Sequence, residues 1–245
     1  HYHEKKQSLP EMFINSSNIG LTMLIMNIEQ NVLKSYFKKM GLFDALKLEL
    51  PEKAIPQYPK AQNWQNITMC NVSYGYGISI TPMHFVQAMI PIVNGGSFFD
   101  VTILKQNQEQ IKSRAIQILD PKTSEDMNKL LRLTITDGTG KRANVEGLLV
   151  GGKTGTAEKL INKKYDKNTR ISSFIAIMPA NKPRYLIYFL LDEPKGNKST
   201  FGFATAGFSA APSVAKIYSR IAAMKGLKPG SQETQEAMFL EYRLD

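Results

Sequence analysis

The stretch between residues 148 and 191 most limits what this chain can fold into. It holds three extended runs: roughly 148–160, then Ser173-Phe174-Ile175-Ala176-Ile177-Met178, then Tyr185-Leu186-Ile187-Tyr188-Phe189-Leu190-Leu191. Asn181-Lys182-Pro183 supplies a turn between the last two. Their near-continuous apolarity predicts one sheet covered on both faces. Helical patterns elsewhere in the chain supply the cover, which gives an α/β reading.

The first run contains Val150-Gly151-Gly152-Lys153-Thr154-Gly155-Thr156-Ala157-Glu158-Lys159. Without a Cβ, the glycines let another group approach the backbone. Lys153 places a cation there. Thr154 and Thr156 alternate with Gly155, so in a strand both hydroxyls point to one face. Two hydroxyls, edge N–H groups and an ammonium make a receptor for a carboxylate, and for an extended peptide laid along a strand edge. A glycine-rich turn is the plain alternative for a bare Lys-Thr-Gly.

A length of 245 residues with 42% hydrophobic content supports a sizeable core in one large domain or two small ones. The net charge of +10 raises the question of nucleic acid. Its lysines are scattered (Lys5, Lys38, Lys105, Lys163, Lys195), and no zinc-finger, RNA-recognition or basic-zipper signature occurs, so nucleic acid is not expected as a partner. The single cysteine, Cys70, excludes an internal disulfide and reads as a structural thiol. No run reaches the ~18 apolar residues of a membrane span. The chain does not begin with methionine, and its start reads as a cut inside a longer protein.

In chain order, Leu9 to Ile14 predicts a short helix. Ser16, Ser17 or Asn18 can cap a second helix through Leu21–Met26. Asn27 with Gln30 reads as a capping box for a third, with Val32, Leu33, Tyr36, Phe37 and Met40 as core and Gly41 as the stop. Residues 44–73, with Pro51, Pro56 and Pro59, read as a surface excursion. Thr81-Pro82 opens a helix that ends at Asn94-Gly95-Gly96. Residues 97–119 suggest short strands. Asp120-Pro121 and Ala211-Pro212 open two further helices, and the tail from Lys228 is polar.

Several motifs together resemble one family. Ser16-Ser17-Asn18 and Lys153-Thr154-Gly155 match the Ser-x-Asn and Lys-Thr-Gly motifs of penicillin-binding proteins and serine β-lactamases, in the family's order. Tyr74-Gly75-Tyr76-Gly77-Ile78-Ser79-Ile80-Thr81-Pro82, Asn94-Gly95-Gly96 and Gly138-Thr139-Gly140-Lys141 are similar to class B penicillin-binding proteins, most of all the septal branch of cell division. The resemblance covers about residues 9–224. It implies an α/β (α+β) transpeptidase fold, an antiparallel sheet flanked by helices, filling residues 1–228 with 229–245 as a tail. It also implies peptidoglycan D,D-transpeptidase activity: a serine attacks a D-Ala-D-Ala bond, D-Ala leaves, and a second stem-peptide amine takes the acyl group.

Carried across residue by residue, Ser16 resembles the serine that relays a proton towards the leaving amine. Asn18 resembles the amide that holds the substrate backbone, and Lys153 the cation that supports the relay. Thr154 and Thr156, flanking Gly155, resemble the hydroxyls that bind the terminal carboxylate, and the Thr156 N–H an oxyanion donor. Phe201 resembles an aromatic cleft wall, with simple core as its alternative. No cofactor or metal is implied. Implied partners are peptidoglycan stem peptides, β-lactam antibiotics and cell-division membrane proteins. The implied location is the periplasmic face of the bacterial inner membrane, with an anchor upstream.

The family's nucleophile motif, Ser-x-x-Lys, precedes Ser-x-Asn, and none precedes it here. Ser35-Tyr36-Phe37-Lys38 and Ser213-Val214-Ala215-Lys216 have the spelling in the wrong order. The nucleophile helix and the first sheet strands are therefore expected upstream, and the chain alone is expected to be inactive. Without those strands, Tyr185–Leu191 is expected to present an apolar edge. A serine β-lactamase shares the motifs, but the Tyr74–Pro82 stretch and the long segments between Ser16 and Lys153 favour the transpeptidase. A non-catalytic penicillin- or peptidoglycan-binding scaffold is the third reading.

Overall fold

A computed structural model describes residues 6–60, 63–162, 164–227 and 230. Apart from Gly230, the expected 229–245 tail lies outside the described residues. The chain divides into two compact units, residues 1–8 with 17–125 and residues 9–16 with 126–245.

The first unit is mainly helical. Helices α2 (Asn18–Ile25), α3 (Gln30–Lys39), α4 (Asn66–Ser73) and α5 (Pro82–Val93) precede a two-stranded ribbon of β1 (Ser97–Phe98) and β2 (Ile116–Gln117), with α6 (Gln108–Arg114) between its strands. The 97–119 segment therefore holds a helix as well as the expected strands. Thr81 caps α5 by accepting from the His84 N–H, and Pro82 follows it as expected. The capping box expected at Asn27 does not form. Glu29 is the N-cap of α3 without a side-chain bond, and the Asn27 amide instead donates to Met23 O at 2.7 Å.

Two other expectations change here. Val32 and Tyr36 of α3 are exposed, while Leu33 and Phe37 pack on a cluster built from Ile25, Trp64, Met69, Cys70 and Val72. Residues 44–73 are not simply a surface excursion. Leu46, Leu48 and Trp64 are buried, and Trp64 meets Phe37 and Phe43 edge-on. Its indole N–H donates to Pro59 O at 2.8 Å, so the proline-rich stretch accepts the polar end of the ring. Cys70 is buried and free, as a structural thiol should be.

The second unit holds α1 (Leu9–Ile14), the part of α7 (Pro121–Thr136) from Asp126 onward, three strands and α8 (Ala210–Lys225). The strands are β3 (Gly151–Ile161), β4 (Lys164–Met178) and β5 (Tyr185–Asp192), antiparallel in the order β3-β4-β5. The expected strands are all present. β4 begins earlier than its apolar run because Lys164–Arg170 completes a long hairpin with β3, broken by a register shift between Glu158 and Lys159. Gly152, Thr154 and Thr156 stand opposite Ala176, Phe174 and Ser172, so these six share one face. On that face Phe174, Ala176 and Met178 pack with Ala210, Ala211, Val214 and Tyr218 of α8. On the other, Ile175 and Ile177 are buried, and the α7 backbone at Arg132 closes on Gly151. β5 is an edge strand of half-exposed residues, with Leu190 40% accessible, in keeping with the expected apolar edge.

Candidate functional site

β3 is the organising element of the site. Its start is fixed by a buried cation: Arg132 of α7 donates from Nη1 to Val150 O and to Asn144 Oδ1, both at 2.8 Å. Burial pushes the Arg132 guanidinium below its ordinary pKa, and the Asp137 charge works against that. The register then sends Lys153 to one face of the strand and Thr154 and Thr156 to the other. The hydroxyls share a face as the alternation requires, and the ammonium lies across the strand from them.

On the lysine face, Lys153 Nζ donates to Ser16 Oγ and, at 3.3 Å, to Thr154 O. The Phe13 ring lies 5.9 Å from the ammonium. Burial alone lowers the Lys153 pKa from 10.5 to about 8. An ammonium so close to neutrality, against a hydroxyl, can pass a proton in either direction near neutral pH.

Ser16 reaches Lys153 through an unusual backbone. Its φ is 54°, left-handed, at the end of α1, and its N–H donates to Phe13 O at 3.2 Å. Glycine would adopt this conformation without strain but would carry no hydroxyl. Capping falls to the neighbour: Ser17 Oγ accepts from the Gly20 N–H at 3.2 Å and starts α2, leaving Ser16 for the lysine. Asn18 is the exposed first residue of α2, in the first unit. The roles separate by mutation. Ser17→Ala is expected to cost about 1 kcal/mol in denaturant unfolding. Ser16→Gly, which relieves the left-handed backbone, is expected to leave stability unchanged or improved.

On the hydroxyl face, Thr154 Oγ1 lies 2.8 Å from Thr139 Oγ1, and Thr156 Oγ1 accepts from the Ala206 N–H at 3.1 Å. As an acceptor, Thr156 keeps its own O–H to donate; the Thr139–Thr154 pair likewise has two protons and spends one on itself. An incoming carboxylate therefore meets two unspent hydroxyl protons beside the strand edge. Thr139 is a site residue to which the Gly138-Thr139-Gly140 motif by itself assigns no role. A Cβ on Gly138 would fall 2.6 Å from Ile14 O, so this loop fits only against a glycine.

Phe201 is 76% accessible, with φ 53° at the end of the 3-10 turn Lys198–Thr200, so its core alternative is set aside. The two Ser-x-x-Lys spellings are engaged within their own helices: Ser35 Oγ donates to Val32 O at 2.8 Å and Ser213 Oγ to Ser209 O at 3.1 Å.

Residues 1–219 match the family described as the penicillin binding protein transpeptidase domain. The chain belongs to that family. It is 39% identical over 238 residues to the probable peptidoglycan D,D-transpeptidase FtsI of Caulobacter vibrioides, covering 93% of itself and 40% of that protein. It is 30% identical over 239 residues to stage V sporulation protein D of Bacillus subtilis, covering 94% of itself and 36% of that protein. Among solved structures, the apo transpeptidase domain of Burkholderia pseudomallei penicillin-binding protein 3 superposes with a TM-score of 0.82 at 28% identity, covering 91% of this chain and 66% of that one. The chain thus spans 40% or less of the length of these two curated relatives.

Proposed function

We propose that this chain is the substrate-receiving part of a peptidoglycan D,D-transpeptidase whose attacking serine lies outside these 245 residues. The observation that carries the reading is the Ser16–Lys153 pair, a hydroxyl held by an ammonium that burial drives towards neutrality. The similarity to proteins named as D,D-transpeptidases supports it. In this reading the external serine forms a C–O bond to the carbonyl of a D-Ala-D-Ala link, and the C–N bond breaks. The serine's proton reaches the departing amine through Ser16, with Lys153 supporting the relay. Thr154 and Thr156 hold the terminal carboxylate, the Thr156 N–H faces the developing oxyanion, and Asn18 holds the peptide backbone. Phe201 lines the cleft. A second stem-peptide amine then forms the new C–N bond and releases the serine.

β-Lactams imitate the dipeptide and acylate the same serine. The parent protein is placed at the outer face of the cytoplasmic membrane among division proteins. No helix among the described residues is long and apolar enough to cross a membrane. A labelled penicillin tests the reading. The whole protein is expected to take one covalent label that survives a denaturing gel, and the 245-residue chain none. Label on the chain alone would overturn the assignment of the nucleophile. Catalytic hydrolysis by the whole protein, in place of stoichiometric labelling, would overturn the transpeptidase.

A further inference from the structure

Exposed turns are ordinarily loose, but the one between α7 and β3 is fixed at its exposed residue, Thr139. The Thr139 N–H donates to Ile14 O at 3.3 Å, and the Gly140 N–H donates to Thr134 O at 2.9 Å. The glycines on either side leave no room to shift. A Cβ at position 138 would fall 2.6 Å from Ile14 O, and one at position 140 would fall 2.8 Å from Ile135 Cδ1. From the opposite side, a Cβ on Gly207 would lie 2.8 Å from Thr139 O. What this bracing delivers is one hydroxyl, held 2.8 Å from Thr154 Oγ1.

A lone threonine hydroxyl turns freely about its C–O bond, and few orientations aim its proton at a ligand. A hydroxyl that accepts a hydrogen bond is fixed in rotation and becomes a stronger donor in the next one. Thr156 has such a backing in the Ala206 N–H, which can only donate. Thr139 is placed to do the same for Thr154. With the Thr139 proton given to Thr154 Oγ1, the Thr154 proton is directed onward, and a carboxylate, which only accepts, completes the chain. Both receptor hydroxyls on this face of β3 are then backed before any ligand arrives, so less freedom is lost on binding.

We infer that Thr139 is a positioning residue for acylation: its hydroxyl donates to Thr154 Oγ1 and aims the Thr154 proton at the carboxylate of the acyl donor. The inference rests on the transpeptidase reading and adds to it a residue outside the Lys-Thr-Gly motif that acts only through that motif. The test uses the whole protein with a labelled penicillin and its methyl ester. The ester keeps the reactive ring and replaces the carboxylate with a neutral group, so the ratio of the two acylation rates reads carboxylate recognition alone.

In the wild type the acid is expected to react about a hundredfold faster than the ester, as for two charge-assisted contacts of about tenfold each. Thr139→Val keeps the branched shape without the hydroxyl and should lower that ratio about tenfold. Thr139→Ser restores the hydroxyl and should restore the ratio. In a Thr154→Val background, Thr139→Val should change the ratio no further, because its only route to the ligand is gone. A ratio unchanged by Thr139→Val, including an equal loss of both rates, overturns the inference, since the loop would then serve the fold. A further fall in the Thr154→Val background also overturns it, since Thr139 would then bind the carboxylate itself. Either result leaves the transpeptidase reading standing. A wild-type ratio of one removes the carboxylate from this face of β3, and wild-type protein that takes no label overturns the transpeptidase reading; the inference falls with each.

Discussion

Lys153→Met in the whole protein is expected to lower the second-order rate of acylation by a labelled penicillin about a thousandfold, the middle of the range for a positioned acid–base group. Methionine keeps an unbranched stem of similar length and removes the ammonium that donates to Ser16 Oγ and lies 5.9 Å from the Phe13 ring. The wild-type rate should carry an alkaline limb. Lys153 supports the relay as a cation, and burial sets its pKa at about 8, so acylation falls as pH rises through that value. The limb should be absent in Lys153→Met. An unchanged pH profile in the variant would remove Lys153 from the relay, whatever the size of the rate loss.

The same substitution separates function from stability, because the two should move in opposite directions. Below pH 8 both the folded and the unfolded chain hold the Lys153 proton, and the fold bears the full cost of a buried ammonium. Between pH 8 and about 10.5 the unfolded chain holds the proton and the fold does not, so stability rises with pH. Above about 10.5 the cost is gone. At pH 7 the cost amounts to up to about 3 kcal/mol, since each pKa unit corresponds to about 1.4 kcal/mol. Lys153→Met should therefore be at least as resistant to denaturant as the wild type at pH 7, and it should lose the alkaline rise. Tolerating a buried cation at this cost is what a functional lysine predicts, and a structural one would carry a partner carboxylate.

How much of the fold and site is legible in the sequence depends on the range of each interaction. The three strands, the Thr81-Pro82 helix start and the shared face of Thr154 and Thr156 are local consequences of residue alternation and capping, and they follow from short windows. Residue type alone does not decide among Ser16, Ser17 and Asn18 as the cap, because all three can accept a helix N–H. The left-handed turn at Ser16 settles it by turning that hydroxyl to Lys153, a partner 137 positions away. Trp64 and the buried part of residues 44–73 escape a sequence reading for a related reason. Their neighbours are Phe37 and Phe43 from a distant helix and loop, and prolines hide any period. Arg132 gives no signal of its own, being a surface residue by type, and Thr139 lies in a motif that marks its loop without giving the hydroxyl a role. Only the tertiary approach of α7 and of the glycine loop to β3 gives them work.

Phe174 joins the two glycine motifs, and removing its ring should cost far more stability than removing the Ser17 cap. It is fully buried on the hydroxyl face, opposite Thr154. A Cβ on Gly152 would fall 2.6 Å from its ring and equally close to Ile175 O, and a Cβ on Gly140 would fall 3.3 Å from it. Both glycines are thus partly explained as clearance for one aromatic side chain. Phe174→Ala empties the space beneath Thr154 and is expected to cost about 4 kcal/mol in denaturant unfolding. Gly152→Ala overfills the same space and should cost about 2 kcal/mol. Because both changes act on one contact, the double variant should be less destabilised than the sum of the two. Strict additivity would mean that Ile175 O, and not the Phe174 ring, is what excludes a side chain from position 152. The clearance would then belong to strand pairing, and the ring would have no part in holding the Lys-Thr-Gly strand against the loop that carries Thr139.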